Sequence, residues 1–284
     1  MVRRTLTAVM TVGLMHLTLT SHHAHAGGKL GDHSIWLELK EQIFPGETLQ
    51  DGAHLMTMQS PMRALDAAIV PISIRFKNPE TIKNLSLVID HNPAPFAMKL
   101  YSDSTHESPN VDVRIRIDSY TYLRAVAETK TGEFFEIANF IKAAGGCSAP
   151  SLSGMAEAEK HMGEMKMKFI EQDTNGMVKA QFLIRHPNYS GFQFDQISRS
   201  EIPAHYIDSV IITSNGKTLF RVEPSVSMSE NPHFTFFYKG DDIGKTIDVL
   251  ATDSEGKIYQ RHWDVPPSLP EVVVKPFTIK GQSI

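Results

Sequence analysis

Along most of the chain, apolar and polar residues alternate in short runs. AIVPISIRF occupies residues 68–76, followed by LSLVID (85–90), FAMKLY (96–101), VDVRIRI (111–117), YLRAVAET (122–129) and EFFEIANF (133–140). In VDVRIRI, Val111, Val113, Ile115 and Ile117 take one face and Asp112, Arg114 and Arg116 the other, the period of two expected of a half-buried strand. KNPE, DHNPAP and KTGE separate the runs, and their Asn, Pro and Gly residues supply constrained or left-handed backbone.

The second half repeats the style in KMKFIE, VKAQFLIRHP, DSVIITSNGKTLFRV, HFTFFYKG and KTIDVLATDSEGKIYQRHW. Asn215-Gly216 is a strong short hairpin signal. Helical periodicity is scarce: one amphipathic turn is expected near Pro61 in MQSPMRALDAAI and another in GMAEAEKHMGEM. The pattern predicts an all-β chain of two antiparallel β-sandwich domains, residues 33–147 and 165–265. They are joined by a flexible linker over 148–164 and followed by an extended, proline-punctuated tail over 266–284. Neither half has a glycine-rich phosphate loop or alternating strands and helices, which excludes a doubly wound nucleotide-binding domain.

Arg3 and Arg4, an interrupted apolar stretch from Leu6 to Leu19 and the sequence Ala24-His25-Ala26 predict a secretory signal peptide over 1–26, cleaved after Ala26. The stretch is too short to span a bilayer, and no later segment looks transmembrane. Losing Arg3 and Arg4 takes the formal net charge from −4 to −6, which argues against nucleic acid as a partner. The expected destination is the periplasm.

In that oxidising compartment a lone cysteine carries information, because it has no partner within its own chain. Cys147 lies in KAAGGCSAPS, after Gly145 and Gly146 and ahead of Ser148, Ala149 and Pro150. An isolated cysteine is commonly a small buried hydrophobe. Here the flanking residues offer little apolar surface to hold it down and the glycines favour mobility, so the sequence predicts an exposed, mobile thiol hinged at Gly145 and Gly146. Lys142 is the one nearby cation and His161 the nearest histidine, an arrangement better suited to presenting a bound group than to holding a nucleophile against its base.

VIDHNPAPFAMKLY and RAVAETKTGEFFEIANFIKAAGGC resemble SoxY, the sulfur-carrier subunit of bacterial sulfur oxidation. VKAQFLIRHPNYSGF, IPAHYI, NGKTLF and SMSENPHFTFFYKG resemble its partner SoxZ, in the order of the fused SoxYZ-like carriers found near quinoprotein alcohol dehydrogenases. The resemblance implies two immunoglobulin-like sandwiches and a non-catalytic protein that needs no cofactor. Its Cys147 would hold small sulfur species covalently for sulfur-oxidising or related periplasmic enzymes, with a quinoprotein dehydrogenase system as a further partner. In SoxY the cysteine sits in a C-terminal Gly-Gly-Cys-Gly-Gly arm. Here Ser148 and Ala149 replace the last glycines and the chain continues, so the arm is tethered at both ends and reaches less far.

His186 and His205 are expected to be hydrogen-bonded structural histidines, and no metal site is assigned. The competing function is a periplasmic copper or redox chaperone, an assembly factor for a quinoprotein dehydrogenase. It would use Met56, Met58 and Met62 or His161, Met162, Met165 and Met167, thioether and imidazole groups suited to Cu(I). The spacing of these methionines also fits packing in a core. A thiol enzyme is the third class.

Overall fold

The computed structural model describes residues 28–102, 106–150, 155–195, 197–240 and 246–272. The predicted leader and most of the predicted tail lie outside the described residues. Helix α1 (Ser34–Ile43) precedes β1 (Leu49–Asp51), β2 (Met56–Gln59), β3 (Val70–Phe76), β4 (Ile82–Ile89), β5 (Phe96–Tyr101), β6 (Glu107–Ile115), β7 (Thr121–Thr129) and β8 (Phe134–Ile141). The second half runs through α2 (Met155–Lys160), β9 (Met165–Asp173), β10 (Met177–Ile184), β11 (Phe194–Asp195), β12 (Ser200–Glu201), β13 (Ile207–Ser214), β14 (Lys217–Pro224), β15 (His233–Lys239), β16 (Thr246–Asp253), β17 (Ile258–Asp264) and β18 (Glu271–Val272). No helix among the described residues is long and apolar enough to cross a membrane.

Each half is an immunoglobulin-like sandwich, and both have the same strand order. In the first, β8-β7-β4-β5 faces β6-β3-β2; in the second, β17-β16-β13-β14 faces β15-β10-β9. Corresponding edge strands then meet. β5 pairs antiparallel with β14, setting Leu100 against Val222, and β6 pairs antiparallel with β15, setting Val113 against Phe234. The results are one nine-stranded and one seven-stranded sheet, each running through both halves. The two predicted sandwiches are present, and besides the connecting segment two strand ladders join them. The arrangement is quasi-symmetric, as in a twofold dimer whose protomers share one chain.

Period-two burial follows the apolar pattern in β3, β10 and β16. Val111, Val113, Ile115 and Ile117 are all buried, as predicted. Asn215 and Gly216 take positive φ values of 48° and 74° in the β13–β14 hairpin, where Ser214 pairs with Lys217. The inner faces make one core that runs from Val70 and Leu87 through Leu100 and Val113 to Phe220, Phe234 and Val249.

Of the two helix expectations, the one in GMAEAEKHMGEM is met by α2 and the other is not. No helix forms near Pro61, whereas α1, which the alternation did not reveal, packs on the outer face of the first half. Trp36 is buried with Phe44 against Val88 and Val126, and Leu39 and Ile43 pack alongside. The Arg124 guanidinium lies 4.4 Å from the centre of the Trp36 ring and donates to both oxygens of Asp90. The helix explains why nearly all of β7 is buried: both faces are covered.

Because the sheets cross the seam, chemical denaturation is expected to give one cooperative transition monitored in either half. Phe236→Ala, which removes a core side chain from seam strand β15, should lower stability by about 3–5 kcal/mol without splitting that transition. Two separated transitions would contradict the shared-sheet description.

Candidate functional site

Beyond β8 the chain is held by residues remote in sequence. Lys142 donates its N–H to Met62 O and accepts from Ala64 N–H, at 2.9 and 3.0 Å. The N–H groups of Gly145 and Gly146 donate to Asp118 O and Ile117 O at 2.7 and 3.0 Å. Gly145 has φ +75°, and a Cβ on Gly146 would lie 2.1 Å from Ala67 O. The first glycine is needed for a left-handed turn and the second for close approach of backbone to backbone. Both glycines, expected as hinges, are held in place in this conformation.

Cys147 is only 2% exposed, and this corrects the expectation of an accessible thiol. Its carbonyl accepts from Ser190 Oγ, and the Ala149 carbonyl accepts from Gln193 Nε2 at 2.7 Å. Burial, reinforced by the charge of Asp118 and opposed by that of Arg116, pushes the thiol up to about 12. In this docked conformation the sulfur is a neutral thiol, and thiolate chemistry requires the segment to open.

Arg116 departs from the alternation, which put it on the polar face with Asp112 and Arg114. β6 ends at Ile115, and just beyond it the Arg116 side chain is enclosed, 2% exposed. Its Nη1 donates to Asn188 O and Met228 O, and its backbone N–H donates to Ser227 O. Asn92 completes this join: Nδ2 donates to Arg116 O and Ser227 Oγ, while Oδ1 accepts from Asp118 N–H. Cys147 thus lies at the junction of the halves, between segment 116–118 of the first and segment 188–193 of the second.

Residues 40–147 match the family model of sulfur oxidation protein SoxY, and residues 165–264 match that of sulphur oxidation protein SoxZ. The chain joins a SoxY domain to a SoxZ domain. The SoxY match ends on Cys147 itself. Among solved structures, the sulfur carrier protein SoxY from Chlorobium limicola f thiosulfatophilum is 19% identical with a TM-score of 0.33, covering 37% of this chain and 89% of its own. A superoxide reductase (neelaredoxin) from Ignicoccus hospitalis is 12% identical with a TM-score of 0.29, covering 32% of this chain and 81% of its own. No curated protein sequence matches the chain.

The SoxZ half brings His186 and His205 together with Asp253. Their possible ligand atoms lie within 4.8 Å of one another, a juxtaposition the sequence did not show. Hydrogen bonding accounts for the cluster. His205 Nε2 is 3.0 Å from Asp253 Oδ2, which also accepts from Tyr259 OH, while Oδ1 accepts from the N–H groups of Glu255 and Lys257. Burial alone would raise the carboxyl, but these bonds outweigh it and hold Asp253 at about 2. His186 Nδ1 accepts from Asn188 N–H, so the neutral ring carries its proton on Nε2, the nitrogen that faces Asp253 at 3.7 Å. A metal would need a lone pair on that same Nε2, and a metal-bound histidine ordinarily donates from its other nitrogen, so the donor set fits a metal poorly.

The methionine clusters resolve largely into packing. Met56 and Met165 are buried, and Met58, Met162 and Met167 pack against the core. Both ring nitrogens of His161 are engaged by Glu157 and Glu164, at 2.8 and 2.6 Å.

Two measurements probe the site. At pH 8 the native thiol should react with a disulfide reagent about 100-fold or more slowly than in the unfolded chain, and Ser190→Ala or Gln193→Ala should each speed the native reaction by roughly 5-fold, the weight of one hydrogen bond. Native rates equal to those of the unfolded chain would show that the thiol is not enclosed. Burial, with the charge of His205, depresses His186 from 6.5 to about 4. The unfolded chain therefore takes up this proton first as pH falls. The contribution is complete above pH 6.5, and about 3 kcal/mol should be lost between there and pH 4. His186→Gln should flatten the pH dependence of stability in that window, and an unchanged slope would assign it to other groups.

Proposed function

We propose that this protein is a periplasmic, non-catalytic carrier that holds small sulfur species on Cys147 and presents them to sulfur-oxidising enzymes. The observation that carries the proposal is the position of the thiol: the chain's single cysteine is the last residue of the SoxY match and sits at the seam with SoxZ. The segment that bears it is fixed by turn geometry and a few hydrogen bonds to remote residues, with no strand ladder at Cys147. Such a segment opens at far lower cost than a core strand.

Burial of the thiol gives the carrier two states. Docked, the sulfur is protonated and shielded. Undocked, it returns toward the ordinary thiol pKa of about 8.5 and can exchange or receive a sulfur group through its thiolate. The arm is flanked by exposed apolar side chains, Met62 and Leu65 on the segment that binds Lys142, and Phe192 and Phe194 on the segment that binds Cys147 and Ala149. These offer a partner enzyme contact area beside the cargo. Among the described residues no base is hydrogen-bonded to the sulfur, which favours a carrier over a thiol enzyme.

Intact and peptide mass spectrometry of protein isolated from cells oxidising reduced sulfur tests the proposal. Mass adducts should be confined to the peptide containing Cys147 and disappear on reduction and in Cys147→Ser. Finding only unmodified thiol under those conditions would leave a buried structural cysteine as the better description.

A further inference from the structure

The first half encloses two arginines that are treated differently. Arg124 has a carboxylate: Asp90 accepts from it at 2.8 to 3.0 Å in a fully buried pair. Arg116, equally enclosed, has no carboxylate within ion-pair distance among the described residues. Its Nη1 is satisfied by two carbonyl oxygens, and its Nε is buried with no acceptor. A buried guanidinium left to neutral acceptors is expensive, because neither solvent nor a counter-charge compensates its loss of hydration.

The acidic side chains near enough to influence Arg116 are those of Cys147 and Glu230, and Cys147 in turn lies near enough to feel Arg116. Backbone geometry shows why. Gly145 and Gly146 bond to Asp118 O and Ile117 O, directly after Arg116, while segment 188–190 touches Arg116 through Asn188 O and Cys147 through Ser190 Oγ. Guanidinium and thiol therefore lie between the same two segments. In the unloaded protein this cation faces a neutral sulfur.

We propose that Arg116 is the positioning residue for the loaded arm, the counter-charge that holds an anionic sulfur group on Cys147 in the docked state and favours anionic over neutral cargo. The inference rests on the carrier function proposed above and adds its charge selectivity. An oxyanion borne on Sγ supplies the acceptor that Nε lacks, and the pair gains a charge-assisted hydrogen bond in a site from which water is excluded.

The test compares two disulfide-linked adducts on the same chain, each confirmed by intact mass. With tetrathionate, the Cys147 thiolate attacks an inner sulfur. A Cys147 Sγ–S bond forms that bears a terminal sulfonate, the reagent's S–S bond breaks, thiosulfate leaves with the electron pair, and the thiol proton passes to buffer. With methyl methanethiosulfonate, the thiolate forms a neutral methyl disulfide and methanesulfinate leaves. Release by dithiothreitol is timed in folded protein and divided into the rate in denaturant, which cancels the intrinsic reactivity of each adduct.

In the unsubstituted protein, protection of the sulfonate-bearing adduct should exceed that of the methyl disulfide by about 10-fold or more. The advantage should vanish in Arg116→Gln and survive in part in Arg116→Lys. Equal protection of the two adducts in the unsubstituted protein overturns the proposal even if Arg116→Gln fails to fold, and so does an advantage that persists in Arg116→Gln. The outcome is separable from that of the carrier function. Native adducts without charge discrimination would sink only the role of Arg116, whereas discrimination without native adducts would sink only the carriage.

Discussion

The edge-to-edge pairing of like strands, β5 with β14 and β6 with β15, is the constraint on which the rest of the molecule depends. An immunoglobulin-like sandwich leaves unpaired N–H and C=O groups along its edges, and an exposed edge is a template for aggregation. Each half blocks one edge of each sheet of the other. The SoxZ half is thus part of the fold of the SoxY half. The pairing also fixes where the arm lies: as β6 leaves the sheet at Ile115, residues 116–118 pass directly into the seam and meet the arm from one side while segment 188–193 meets it from the other.

That second segment has several partners within a few residues. Asn188, at φ +49°, donates its N–H to His186 Nδ1, accepts from Arg116 at its carbonyl, bonds Met228 O through Nδ2 and accepts from Ile207 N–H through Oδ1. Tyr189 bridges to His205, and Ser190 holds Cys147. The Asp253 network and the arm therefore share a support. A side-chain change at His186 acts on the docking surface through one backbone bond, although His186 itself lies outside the thiol's surroundings.

Much of the fold was legible because its signal is local. Alternation placed Val111, Val113, Ile115 and Ile117 inward, and Asn215-Gly216 announced its own turn. The site was less legible because what builds it is remote. Arg116 follows the polar phase of its strand, but the strand ends one residue earlier and the seam encloses its side chain from the other half. Helix α1 was hidden in a short apolar stretch whose Trp36, Leu39 and Ile43 fit a helical face that local alternation did not pick out. The arm was misjudged because glycine has two uses. Gly145 and Gly146 suggested freedom, yet Gly146 is required because Ala67 O leaves no room for a side chain, and Ser190 and Gln193, more than forty residues away, supply the hold that the neighbouring residues lack.

Enclosure changes what a carrier of this kind has to do. A thiol on a free tether is continuously available to any oxidant or disulfide it meets. Docking lowers the thiolate fraction steeply, so the proposed exchange would proceed through the fraction of molecules whose arm is open. If Cys147 carries cargo as proposed, the few hydrogen bonds at Cys147 and Ala149 would set the rate at which that cargo is exposed. Tethering at both ends would limit how far an opened segment travels, so the proposed carriage places the burden of approach on the partner. Under the proposed carriage, a partner that settled against the apolar side chains on either flank would have to displace only a short turn, because the strand ladders joining the halves lie outside that turn.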